Sequence, residues 1–157
     1  SKNITKQNIR NGLGNLDEKN EKEIINGMWS NIGRTFAEYI FLKNFKLNKT
    51  GVDHMKITGI EYLDQIKRSN KPVVFFSGHF ANFELMSMEI TRQNILLATI
   101  YRPLNNIFLN PFMEYLRKKY ICKNQIKKGI NGVREAINYI NKKNCIAPSF
   151  DDMAASN

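Results

Sequence analysis

Val73-Val74-Phe75-Phe76 and Ile95-Leu96-Leu97-Ala98 are short apolar runs on either side of a segment with helical spacing, and this alternation constrains the fold more than any other feature. Apolar runs without polar alternation suit strands buried on both faces, as in parallel sheets covered by helices. The pattern predicts strands over 73–77 and 95–101, a last one over 145–149, and a short one around 55–58. Helices are predicted over 60–68, 81–92, 108–119 and 130–141, with a turn at Asn70-Lys71-Pro72 and a loop at Pro103 and Asn105-Asn106. Ahead of these, Asp17 is placed to cap a long helix over 18–45, in which Ile24, Ile25, Met28, Ile32, Phe36, Tyr39 and Ile40 recur at three- and four-residue spacing. Residues 1–16 read as a polar lead-in, with Gly12 and Gly14 breaking any helix. The expected fold class is α/β, a mostly parallel central sheet flanked by helices and preceded by a long N-terminal helix.

A chain of 157 residues has room for one domain with a real core. The whole of 1–157 reads as a single domain, with 17–46 as an N-terminal helical segment. The sheet pattern stops just after a strand, with no covering helix over 151–157, so the chain is expected to be truncated. No apolar run approaches the ~20 residues of a membrane span, and no signal-peptide core is present. Cys122 and Cys145 lie far apart, without a Cys-x-x-Cys pair or nearby histidines, and read as small core residues rather than metal ligands. No metal site is expected.

Lysine and arginine number 24 against 14 acids, a net charge of +10. Such an excess suits an anionic partner: nucleic acid, an anionic membrane surface or an acidic carrier protein. A lysine- and asparagine-rich genome bias produces the same excess. Charge alone does not choose among these.

Chemistry concentrates in Ser77-Gly78-His79-Phe80-Ala81-Asn82-Phe83-Glu84-Leu85, where a buried strand hands over to a helix. Open α/β sheets gather their sites at the carboxyl ends of strands. Residues five apart on a continuous helix point about 140° apart, so His79 meets Glu84 only if it precedes the helix and folds back over its first turn. A carboxylate bonded to one imidazole nitrogen fixes the tautomer and leaves the other nitrogen to take a proton. With no nucleophilic Ser or Cys beside it, such a pair suits direct transfer. The base deprotonates a hydroxyl that attacks an activated acyl group, while N–H groups at the helix start and the Asn82 amide face the developing oxyanion. Taken alone, the pair also admits a structural histidine with an acid five residues on by chance.

Four blocks in one order resemble the bacterial lipid A lauroyl/myristoyl (late) acyltransferases. Residues 27–39, Gly-Met-Trp-Ser-Asn-Ile-Gly-Arg-Thr-Phe-Ala-Glu-Tyr, resemble the helix that precedes the family's catalytic segment. Residues 73–85 resemble its Gly-His-Phe-x-Asn-x-Glu segment, with the His-x-x-x-x-Asp/Glu pair at His79 and Glu84. Tyr101-Arg102-Pro103-Leu104-Asn105-Asn106 is similar to its Tyr-Arg-Pro-x-x-Asn stretch. Arg117 falls near a family arginine, and Lys128-Gly129-Ile130 near a basic patch.

The resemblance implies a glycerolphosphate-acyltransferase-like fold and an O-acyltransferase. In it, His79 is the general base and Glu84 its partner, Asn82 shapes the site, and Arg102 and Arg117 bind substrate phosphates or stabilise the transition state. It implies no cofactor. The co-substrate is a fatty acyl thioester on acyl carrier protein, and the acceptor is a hydroxyl of a phosphorylated, Kdo-bearing lipid A precursor. Both are acidic, in keeping with the chain's charge. The implied location is the cytoplasmic face of the Gram-negative inner membrane, with no nucleic-acid partner. The family's N-terminal membrane helix and C-terminal part are absent, so the fragment itself is expected to lack activity. Ala147-Pro148-Ser149-Phe150-Asp151 resembles Ala-Pro-Asp-x-Asp: Ser149 replaces the first acid, while Asp151 keeps the second as a substrate-binding candidate.

Two rivals stay open at this level. One is an acyltransferase acting on lysophospholipid, glycerol phosphate or a mannosyl lipid, although these usually carry Asp at the second position. The other is a basic membrane- or nucleic-acid-binding module, which needs aromatics interleaved with basic residues on an exposed face. The Phe and Tyr residues are expected mainly in strands and helix faces, as in a core or an acyl-chain channel.

Overall fold

The computed structural model describes residues 2–47, 55–78 and 81–148, and the chain divides into two compact units, Ser1–Tyr39 and Ile40–Asn157.

The first unit is a pair of helices, α1 (Lys2–Leu13) and α2 (Glu18–Glu38). The polar lead-in therefore folds, against expectation. Gly12 sits in the last turn of α1, where frayed hydrogen bonds make its entropic cost small. Gly14, at φ 78°, donates its N–H to the Arg10 carbonyl at 2.9 Å and stops the helix in the left-handed conformation that glycine tolerates. The two helices are joined through Glu21, buried, which pairs with Lys6 Nζ at 3.0 Å and Arg10 Nη2 at 3.1 Å. The hydrogen bond from Lys6 holds its carboxyl below the usual glutamate range, supported by Arg10. Asp17 caps α2 as expected, its Oδ1 accepting from the Asn20 N–H at 2.8 Å. The long helical stretch is interrupted: a 3-10 turn, Tyr39–Phe41, separates α2 from α3 (Leu42–Leu47). The stretch Asn48-Lys49-Thr50-Gly51 that follows α3 lies outside the described residues.

The second unit is the α/β body. After α3 come α4 (Ile60–Ser69), α5 (Glu84–Arg92), β1 (Leu97–Tyr101), α6 (Leu109–Leu116), a π-helical turn (Arg117–Ile121), β2 (Asn124–Lys127), α7 (Ile130–Asn141) and β3 (Cys145–Pro148). The three strands form a parallel sheet in the order β2-β1-β3, with Thr99 opposite Gln125 on one side and Ala147 on the other. Residues 55–59 form no strand. The 73–77 run forms no full strand either. It lies parallel beside β3, where Ile146 donates to the Val73 carbonyl at 3.1 Å and accepts from Phe75 N–H at 2.8 Å. Val74 and Phe76 are exposed, so this apolar run flanks the sheet rather than filling its centre. The 95–101 run contains β1, with Ile95 buried ahead of the strand. β2 was not expected, because Asn124-Gln125-Ile126-Lys127 is polar and draws its conformation from pairing with β1.

Side chains of β1 alternate between two layers. Ala98 joins Ile126, Ala136 and Ile146 in a core cluster that also receives Ile100, Tyr139 and Ile140, so this face carries α7. The close approach is visible at Gly132: a Cβ there would stand 2.0 Å from the Lys127 carbonyl oxygen. Leu97 and Tyr101 lie on the other face, and Tyr101 reaches α6 there. The buried Cys122 thiol donates to the Leu97 carbonyl at 3.0 Å, and Tyr101 Oη donates to Glu114. Thr91 ties α5 to this layer, its hydroxyl reaching the Ile121 carbonyl at 2.6 Å. Both cysteines are free and buried, as expected. Among the described residues, no helix is long and apolar enough to cross a membrane.

Candidate functional site

A cavity of about 240 Å³ opens at the carboxyl ends of β1 and β3. Tyr101 and Arg102 contribute from the end of β1, and Ala147 and Pro148 from β3. Ser77 and Gly78 close one side, and Glu84 and Ser87 of α5 another. This is where a parallel sheet leaves main-chain groups and loops free to build a site.

Glu84 is the first residue of α5, with only 6% of its surface exposed. The helix N-terminus, rich in unsatisfied N–H groups, favours a carboxylate there. Arg117, first residue of the π turn, donates its Nε to Glu84 Oε1 at 2.6 Å. Both side chains are largely shielded from solvent, at 8% and 12% exposure. Thirty-three residues apart in sequence, they form one wall of the cavity. The turn before α5 contains Ala81 at φ 46°, a left-handed conformation that costs a non-glycine residue on the order of 1 kcal/mol.

A second network supports the first. Tyr101 Oη donates to Glu114 Oε1 at 2.6 Å, and the same oxygen accepts from Asn110 Nδ2 at 2.9 Å, with Lys127 Nζ at 3.5 Å. The hydrogen bond from Tyr101 holds the Glu114 carboxyl below its usual range, while burial and then that bond push the Tyr101 phenol above its own. The Arg117 guanidinium lies 5.6 Å from the Tyr101 ring centroid. The ring thus packs beside the guanidinium that holds Glu84. Glu114 was not anticipated as part of the site; its one sequence signal is a helical position three residues before Arg117.

Beside this cavity runs an apolar groove of about 490 Å³, lined by Ile57, Ile60, Leu63, Leu85 and Ile90 among others. Met86 lines both spaces. The segment 55–58, expected as a strand, forms part of this groove together with Gly59.

The expected site residues divide as follows. Glu84, Arg102 and Arg117 line the same cavity, Arg102 as an exposed residue. Asn82 is buried, is not among the lining residues, and accepts the Leu85 N–H through its carbonyl at 3.2 Å. His79 and Asp151 lie outside the described residues, as does Ser149. The chain leaves the described residues at Gly78, on the cavity wall, and returns at Ala81, three positions before Glu84. Burial pushes the Cys122 thiol up, which suits a core residue and not a nucleophile. Among the described residues, no cluster of three or more His, Cys, Asp or Glu side chains could hold a metal ion.

Comparison with known proteins gives one family match. The model of the family described as bacterial lipid A biosynthesis acyltransferase matches residues 1–152 of the 157. No curated protein matches the chain.

Proposed function

The chain belongs to the bacterial lipid A biosynthesis acyltransferase family, and from that premise we propose that it moves a fatty acyl group from an acyl carrier protein thioester to a hydroxyl of a phosphorylated lipid A precursor, with His79 as general base and Glu84 as its partner. The observation that most supports this reading is the buried Glu84 carboxylate, oriented by Arg117 at 2.6 Å on a cavity wall whose neighbour is an apolar groove.

In the proposed reaction His79 takes the proton from the acceptor hydroxyl. The oxygen attacks the thioester carbonyl carbon, the C–S bond breaks as the tetrahedral intermediate collapses, and the leaving thiolate receives a proton. Glu84 orients the imidazole and balances the positive charge that develops on it. Arg102, exposed at the end of β1, reaches for a phosphate, which guanidinium matches in geometry and charge. Arg117 keeps the carboxylate in register and adds positive potential where the oxyanion develops. The apolar groove across Met86 takes the acyl chain, whose burial there is driven by loss of apolar surface from water. Work at the cytoplasmic face of the inner membrane fits both substrates.

The test is acyl transfer from acyl carrier protein thioesters to a Kdo-bearing precursor, by the full-length enzyme and by its His79→Ala variant. Loss of a positioned general base is expected to lower turnover by ~10²–10⁴ while leaving the circular dichroism spectrum unchanged. Wild-type turnover by His79→Ala overturns the assignment. Parallel acceptors (lysophospholipid, glycerol phosphate) are expected to remain unacylated.

A further inference from the structure

α6 carries two apolar stripes, and only one of them faces the protein. Met113 and Leu116 are buried against the body of the second unit. On the other side, Phe108, Phe112 and Tyr115 recur at four- and three-residue spacing and stand out at 85%, 52% and 53% exposure, with Ile107 beside them at 74%. The Phe and Tyr residues were expected mainly in strands and helix faces, as in a core or an acyl-chain channel; these three stand exposed. Their exposed surface, with Ile107, is on the order of 500 Å², at the upper end of what a soluble surface leaves uncovered without a purpose.

The stripe is built into the fold. Asn106 Oδ1 accepts the N–H groups of Phe108 and Leu109 at 3.0 Å each, and Asn110 Oδ1 accepts the Leu104 N–H at 2.8 Å. These bonds fix the loop that leads from Arg102, on the cavity wall, to the start of α6. The surrounding charge is one-sided. Between residues 102 and 123 the basic residues are Arg102, Arg117, Lys118, Lys119 and Lys123, and the one acid is Glu114; five minus one gives +4. Glu114 is turned inward on Tyr101 and Asn110. Lys119 lies over the Tyr115 ring, with Nζ 4.9 Å from its centroid, at the polar edge of the stripe.

We propose that this face, Ile107, Phe108, Phe112 and Tyr115 flanked by Lys118 and Lys119, docks on an anionic lipid bilayer and presents the Arg102 side of the cavity to lipid headgroups. Aromatic side chains over a basic border are what a bilayer interface takes: rings at headgroup depth, cations against anionic lipid. A second exposed stripe, Ile130, Val133 and Ile137 on α7, belongs to the helix that covers the opposite face of the sheet, so one flat membrane cannot take both. Residues 130–143 carry Arg134, Lys142 and Lys143 against Glu135, a net charge of only +2, and that helix does not lead to the cavity. The docking proposal draws its purpose from the lipid-acceptor reading, but its test contains no acyl donor or acceptor, so either can fail alone.

The experiment is flotation of the full chain with phosphatidylcholine vesicles, with and without about a quarter phosphatidylglycerol, at rising salt. Binding is expected to require the anionic lipid and to weaken with salt. Phe108→Ser with Phe112→Ser is expected to lower it by at least about tenfold. Lys118→Gln with Lys119→Gln is expected to lower the anionic preference by about fivefold per charge. Ile130→Ser with Val133→Ser is expected to leave binding unchanged. Wild-type binding by the Phe108/Phe112 variant overturns the proposal. So does loss of binding in the α7 variant, preference of the chain for a single-stranded oligonucleotide over vesicles, or a dimer that only the Phe108/Phe112 variant dissociates. A second readout does not depend on loss of function: with Trp29→Phe, Phe108→Trp is expected to shift its emission to the blue on anionic vesicles. An unchanged spectrum also overturns the proposal.

Discussion

Replacing Arg117 by Met keeps an unbranched side chain as far as the position of Nε and removes the cation that faces Glu84. Its consequence follows from burial. Glu84 is 6% exposed and its partner sits at 2.6 Å, with both side chains largely out of water. Stripping one member from a buried ion pair typically costs ~3–5 kcal/mol, because the other charge is left without compensation. The pair borders a cavity that can admit water, so the lower end applies, about 3 kcal/mol. Glu84→Gln leaves a guanidinium that can turn toward the cavity, and should cost about 1–2 kcal/mol. In the double variant neither charge remains, and the expected loss is smaller than the sum by about 2 kcal/mol. Urea unfolding of all four proteins measures this. With a slope of ~1–3 kcal/mol/M, Arg117→Met should bring the midpoint down by about 1–3 M. Effects that add to within ~0.5 kcal/mol would refute a coupled pair and leave Arg117 as a bystander of the site.

Tyr101→Phe should cost about 1–2 kcal/mol at neutral pH, at the low end for a charge-assisted bond since Asn110 also serves Glu114, as urea midpoints would register. Its pH dependence has two limbs. The Glu114 carboxyl lies below its usual range in the fold, so its contribution is present above about pH 4 and lost as pH falls through the lowered value. The Tyr101 phenol lies above its usual range, so its contribution is present below about pH 10 and lost as pH rises beyond it. The Phe variant should flatten both limbs, and an unchanged stability profile would contradict the network. Gly132→Ala places a methyl 2.0 Å from the Lys127 carbonyl and should destabilise by about 1–3 kcal/mol through displacement of α7 from β2; a thermal midpoint equal to wild type would show that α7 does not ride so closely. Arg102→Ala should raise KM for the phosphorylated acceptor by about tenfold with little change in kcat, and a fall in kcat alone would move Arg102 from binding to the transition state.

Much of the fold can be read from the sequence because periodicity reports burial directly. Asp17 as a cap, the helix over 130–141 and the strand that became β3 needed only local pattern. What escaped was decided by neighbours. β2 is polar and becomes a strand because β1 offers an open edge to pair with. The 73–77 run is as apolar as a central strand, yet two of its large side chains face outward. α6 is the clearest case: apolar residues at 108, 109, 112, 113, 115 and 116 surround much of the helix, and no hydrophobic count says which stripe meets the sheet. Arg117 was readable in part, since it falls four residues after Met113 and so on the inward face. A lysine-rich neighbourhood, Lys118-Lys119, obscured it as one more surface charge.

That inward arginine bears on how the proposed base operates. A buried ion pair is weak as a source of stability, and well-packed apolar residues of the same volume often do as well or better. The cavity wall nonetheless carries Glu84 and Arg117, and the turn that leads into α5 holds left-handed backbone at Ala81. Cost tolerated at one spot, beside the ends of parallel strands, fits a site kept for chemistry rather than for folding. The geometry also fits the proposed division of labour. Arg117 donates its Nε to Oε1 and so helps to fix the orientation of the carboxylate that the proposal pairs with His79. A carboxylate already oriented needs no rearrangement when positive charge develops on the ring, and avoiding that rearrangement is where a preorganised site lowers a barrier. On this view Arg117 acts through Glu84, so Arg117→Lys, which keeps the charge but loses the Nε geometry, should slow transfer while leaving KM for both substrates close to wild type. A rise in KM with unchanged kcat would assign Arg117 to substrate phosphate instead.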